Sequence, residues 1–301
     1  MIVVMQCAKT KRAEAGYMRT MDGQPVEFVA QPEFAPARAG FVCARPDDIA
    51  DTDRTWREEL VIYNRQHNPD VADIPLSQHV HGNSGDSNVD LSSPTDRLKL
   101  VDVSPTSVAN LSSSSIANPL GLLPAWQLYK NKTYQLLADT FGPKNLYIFS
   151  AGWGLVRSDF MIPNYDITLS PNATGPDKYK RRRKDDLYND FAMLPISPTN
   201  TAQSDSSGGN APKSPAPTID PSKSDSNPAC PIVFLGSKAY VPLFLELTDG
   251  CSTHRIIFHN SKTPPEAPNC EIHRHDIAKK TDWHYDAAKA LANNPNFFRQ
   301  S

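Results

Sequence analysis

The stretch Ile2-Val3-Val4-Met5-Gln6-Cys7-Ala8-Lys9-Thr10 decides the fold. Four apolar residues, two of them valines and one an isoleucine, run into a small and polar exit. A short, continuous apolar run of this kind fits a strand buried on both faces, as in a parallel sheet. Three more runs share the form: Leu146-Tyr147-Ile148-Phe149, Ile232-Val233-Phe234-Leu235 and Arg255-Ile256-Ile257-Phe258. Helical patterns fall between them. Residues 52–66 form one, with Asp51 or Thr52 as N-cap. Residues 124–140 form another, with Pro early and Gly142 just past the end. A third covers 238–247, where Pro242 is tolerable only in the first turn, and a fourth covers 283–292. Strands alternating with helices predict an α/β (or α+β) single domain, 1–301, with a mainly parallel central sheet. Phe28 and residues 41–43 predict an added antiparallel N-terminal hairpin.

The chain has 301 residues, 27 of them Pro against only 14 Gly. Spread evenly, that much Pro would damage helices and central strands, but it is clustered. Residues 197–229 have one large aliphatic side chain, Ile219, and no aromatic one. They read as a disordered linker or loop inside the domain. Residues 78–118 read as a polar surface insertion carrying one short strand, Leu98-Lys99-Leu100-Val101. No apolar run approaches the roughly 20 residues of a membrane span, so the expected location is the cytoplasm, with no membrane partner. Five scattered cysteines without a CxxC pair argue against a disulfide framework there. Cys270, His273 and His275 match none of the common structural-zinc spacings, and no metal or cofactor is expected.

With 31 Lys+Arg against 33 Asp+Glu the net charge is −2, so any nucleic-acid site must be a local patch. The strand exits supply one. Cys7, Lys9, Thr10 and Lys11 follow the first run; Ser150, Trp153 and Gly154 the second; Gly236, Ser237 and Lys238 the third; Lys262 the fourth. In open α/β sheets the carboxyl ends of the strands line the ligand crevice, and small residues there let backbone N–H groups approach an anion. Beyond the second run, Arg157 is a candidate phosphate fork. Asp159 and Asp166 are candidate catalytic carboxylates, with Lys9 a candidate catalytic amine. Trp153 and Tyr165 offer stacking faces for a base. Lys178, Lys180, Arg181, Arg182, Arg183 and Lys184 form a cationic run, read either as a solvated helix face or as a nucleic-acid patch.

Three sets of residues resemble the YaaA-type peroxide-stress proteins. Cys7-Ala8-Lys9-Thr10 is similar to that family's opening motif. Residues 150–157 with Ile162-Pro163-Asn164-Tyr165-Asp166 are similar to its middle motif, although Asn164 separates the Pro-Tyr pair. Asp185-Asp186-Leu187-Tyr188-Asn189-Asp190-Phe191 is similar to the motif that follows. The resemblance implies an α/β core with a basic cleft that binds DNA. Together these features lead to the expectation of a DNA-acting enzyme, concretely an N-glycosidase working on a flipped base in repair or in defence against foreign DNA. A carboxylate such as Asp166 would stabilise the oxocarbenium-like transition state. Two alternatives stay open: a non-catalytic DNA-binding stress-response protein, and a free-nucleotide hydrolase or transferase.

Overall fold

A computed structural model describes residues 1–71, 78–80, 118–183, 185–194, 230–277 and 282–295. The 197–229 linker, most of the 78–118 insertion with its expected strand at 98–101, and Lys184 lie outside the described residues.

The strands are β1 (Ile2–Gln6), β2 (Val26–Phe28), β3 (Val42–Ala44), β4 (Gln78–Val80), β5 (Leu123–Pro124), β6 (Leu146–Ser150), β7 (Gly154–Arg157), β8 (Met161–Ile162), β9 (Asn189–Ala192), β10 (Ile232–Leu235), β11 (Arg255–His259) and β12 (Cys270–Arg274). The helices are α1 (Trp56–His67), α2 (Ala125–Leu128), α3 (Lys132–Phe141), α4 (Val241–Leu247) and α5 (Trp283–Asn293). All four apolar runs are strands of one sheet, ordered β12-β11-β10-β1-β6-β7-β9-β4, with β4 a short edge strand. The five strands from β12 to β6 are mutually parallel; β7 and β9 run the other way. β6 and β10 are buried at every position, as expected where both faces of a parallel sheet are covered. The protein is thus an α/β domain with a mainly parallel sheet.

From β1 the chain crosses through α3 to β6, then returns to place β10, β11 and β12 on β1's other side. Crossovers of the usual right hand that leave a strand in opposite directions carry their helices to opposite faces. α3 and α5 pack together, with α5 over β10 and β11; on α4, Phe244 stacks on Phe234 of β10 at 4.6 Å between ring centroids. The strand order therefore reverses between β1 and β10.

Several local expectations are corrected. β2 and β3 pair in parallel rather than as an antiparallel hairpin. Residues 29–41 between them include the 3₁₀ turn Pro32–Phe34, and a connection of that length can carry the chain back for a parallel crossover. α1 starts later than Asp51 or Thr52 imply, because Asp53 takes a positive φ of 62° in the preceding turn. Thr55 closes a capping box instead: its hydroxyl accepts from the Glu58 N–H while the Glu58 carboxylate accepts from the Thr55 N–H at 2.7 Å. The 124–140 pattern splits into α2 and α3. Tyr129 turns extended to bridge Lys11, and Asn131 recaps the chain by accepting from the Thr133 N–H.

Candidate nucleotide cleft at the strand-order switch

The carboxyl ends of β1 and β10 face the crevice where the strand order reverses, the usual ligand position in open α/β sheets. Gln6, the last residue of β1, ties the two exits together. Its Oε1 accepts the Ser237 N–H at 2.7 Å and its Nε2 lies 3.1 Å from His284 Nε2 on α5. The amide is thereby oriented to donate to the ring, which requires a neutral imidazole. Burial supplies it, pushing the His284 pKa down to about 4. Gly236 follows β10 because any Cβ there would collide with the Phe234 ring.

Above these exits lies a cavity of about 540 Å³, lined among others by Cys7, Lys9, Lys11, Asp166, Lys180 and Lys238. That volume is within the range of small-molecule sites. Lys180 Nζ sits 2.9 Å from Asp166 Oδ2 and 2.8 Å from Asp177 Oδ1. Burial works against its charge, but the bonds to both carboxylates overrule it and raise its pKa. The same contact holds the Asp177 carboxyl below its usual range. Lys11 packs its ammonium over the Tyr165 ring, 4.1 Å from the centroid. Burial lowers its pKa, against the pull of Cys7 and Asp166 toward the charged form. Among the described residues Lys9, Lys11 and Lys238 form no ion pair, so the cavity carries surplus positive charge. Cys7 Sγ lies 3.2 Å from the Tyr240 hydroxyl. Behind it, the Tyr129 and Tyr165 hydroxyls meet at 2.9 Å. Burial pushes the pKa of all three phenols well up, so they stay neutral hydroxyls.

Most of the other expected residues lie elsewhere. Thr10 borders an adjoining cavity with Lys130 and His284. Lys262 is exposed beyond β11 and does not line the cleft. Ser150 and Gly154 are buried turn-formers: Ser150 Oγ accepts the Gly152 and Trp153 N–H groups, and Gly154 has φ +81° with Asp190 and Phe191 pressed against it.

Trp153 offers no face to a base. It is fully buried, edge-on to Phe28, and Arg57 donates to its carbonyl at 3.1 Å. Tyr165 is likewise buried, its ring covered by Lys11. Arg157 and Asp159 form a two-pronged pair at 2.7 and 2.9 Å. Because β7 runs antiparallel to β6, with Arg157 opposite Tyr147, that pair belongs to the opposite end of the sheet.

The cationic run is not one helix face. A 3₁₀ helix, Gly175–Lys180, leads into an extended segment bridging Thr168 through Arg181. Within it Lys180 turns into the cleft. Arg182 is buried against Asp190, at 3.0 and 2.6 Å, and over the Tyr188 ring. Lys178 and Arg183 are exposed, and Arg183 also reaches Gln31. Gln6, Asp177 and Tyr240 also line the cleft, and no sequence motif singles them out. Only Asp177 had a local signal, its i,i+3 spacing from Lys180.

Among the described residues no group of three His, Cys, Asp or Glu side chains is placed to hold a metal ion, and no helix is long and apolar enough to cross a membrane. No family model, curated protein or solved structure matches the chain.

Proposed function

We propose that this chain is an enzyme that binds a nucleotide at the β1/β10 crevice and hydrolyses its N-glycosidic bond, with DNA as the carrier of that nucleotide. One observation carries the reading: three lysines without ion-pair partners among the described residues and the Asp166 carboxylate share a cavity of about 540 Å³ at the strand-order switch. Lys9 and Lys238 would neutralise phosphate. Asp166, bound to Lys180, would stabilise positive charge building on the sugar as the base departs. A base in a duplex must be flipped to enter such a cavity. With Trp153 and Tyr165 buried, the apolar wall of Ile167, Pro171 and Tyr240 takes the place of a stacking pair. The resemblance to YaaA-type proteins supports DNA as the carrier, since two of its motifs contribute Cys7, Lys9 and Asp166 to this cavity.

The test is incubation with a panel of normal and modified DNAs and with free nucleotides, reading released bases and abasic sites by mass spectrometry. Base release that disappears in Asp166→Asn, with binding retained, is the expected result; no released base from any substrate sinks the proposal. The exposed Lys178 and Arg183 favour a second reading, DNA binding without chemistry. It predicts steeply salt-dependent binding, insensitive to Asp166→Asn.

A further inference from the structure

We propose that Lys11 is the amine nucleophile of this cleft, forming an imine with C1 of a sugar phosphate; the proposal rests on the N-glycosidic reading above and specifies its covalent step. Four lysines reach the cavity, and their surroundings differ. Lys9 and Lys238 are exposed, and a hydrated ammonium is a poor nucleophile. Lys180 is locked in its charged form between Asp166 and Asp177. Lys11 alone is withdrawn from solvent without a carboxylate partner among the described residues. Its Nζ rests on the Tyr165 face, and with Lys9 and Asp166 it lines both the 540 Å³ cavity and a neighbouring one of about 290 Å³. Its backbone is paired with Tyr129 through an antiparallel bridge. Desolvation in such a setting favours the neutral amine, the form that attacks carbon.

The step balances without an added oxidant or reductant. The neutral Lys11 amine forms an N–C1 bond as the bond from C1 to the base breaks. The base leaves with the bonding pair and takes the proton the attacking nitrogen gives up. The sugar ring then opens: the C1–O bond breaks, its oxygen is protonated, and nitrogen and C1 become a protonated imine. Water adds to that carbon, the C–N bond breaks, and the sugar is released with Lys11 restored. Asp166, the Cys7 thiol and the Tyr240 hydroxyl are the groups of the cleft available to pass these protons.

The experiment uses the full chain, 2-deoxyribose 5-phosphate as probe and sodium borohydride to reduce any imine to a stable secondary amine. The adduct is located by peptide mass mapping, and probe binding is measured separately, without borohydride, from the shift in melting temperature. The expected result is a single adduct on Lys11, lost in Lys11→Arg, which keeps the charge, and kept in Lys178→Arg and Lys262→Arg, exposed positions that do not line the cleft. A melting shift without an adduct, or with adducts on Lys9 or Lys238 instead, overturns the role of Lys11 and leaves the nucleotide reading standing. No melting shift and no adduct overturns both. If Lys11→Arg melts well below wild type, competition decides: inorganic phosphate must suppress the wild-type adduct on Lys11, and an adduct indifferent to phosphate refutes the proposal.

Discussion

Replacing Arg182 by Met tests whether the cationic run works as a phosphate patch or as part of the core. The Arg182 guanidinium has about 3% of its side-chain surface exposed and Asp190 has none. The pair is two-pronged, the same guanidinium donates to the Ala151 carbonyl at 3.2 Å, and its carbon lies 3.9 Å from the Tyr188 ring centroid. In Arg182→Met the buried Asp190 carboxylate loses its partner, a change that costs roughly 3–5 kcal/mol. For a domain of this size that corresponds to a fall in melting temperature of about 10 °C. Arg183 is exposed, so Arg183→Met should stay within about 1 kcal/mol of wild type. The double variant Arg182→Met with Asp190→Leu should recover most of the loss, because two apolar side chains leave no buried charge unpaired. Urea denaturation, read by tryptophan fluorescence and circular dichroism, gives the midpoints and slopes for all three. If Arg182→Met unfolds with wild type but binds DNA more weakly, Arg182 belongs to a phosphate patch and the reasoning is wrong.

Acidification tests His284. Its folded pKa is depressed to about 4 by burial, so the stability it contributes is full above the usual imidazole value near 6.5. It is lost progressively as pH falls toward 4, a total on the order of 3 kcal/mol. A melting series from pH 7.5 to 4 should show this decline, and His284→Gln should flatten it. Gln6→Leu leaves the Ser237 N–H and the His284 ring nitrogen without their bonds, so a loss of roughly 1–3 kcal/mol is expected, together with weaker melting shifts by phosphate ligands; unchanged shifts would refute the role of Gln6 in joining the two exits. Gly154→Ala forces a side chain onto φ +81° and a Cβ within 2.7 Å of the Phe191 carbonyl oxygen. A cost of at least about 2 kcal/mol is expected, and a variant as stable as wild type would contradict the backbone described there.

The sheet was legible because burial on both faces leaves its mark in the local composition: all four apolar runs are strands, and three of their exits carry a lysine. The break in helix 124–140 was not legible. Tyr129 leaves the helix to meet Lys11 and Tyr165, partners far away in the chain, and no spacing within 124–140 encodes that contact.

The sequence by itself determined an α/β domain with a parallel core and polar strand exits, because strand identity follows from which residues must leave water. Only the tertiary structure decided which charges are available. Arg182 and Lys180 stand two residues apart in one cationic run, yet one is neutralised in the core and the other sits between two carboxylates in the cleft. Arg157 and Asp159, grouped with Asp166 by sequence, lie at the far end of the sheet because β7 turns back antiparallel. Direction, depth and partner set the chemistry of an ionisable group, and all three depend on residues distant in the chain.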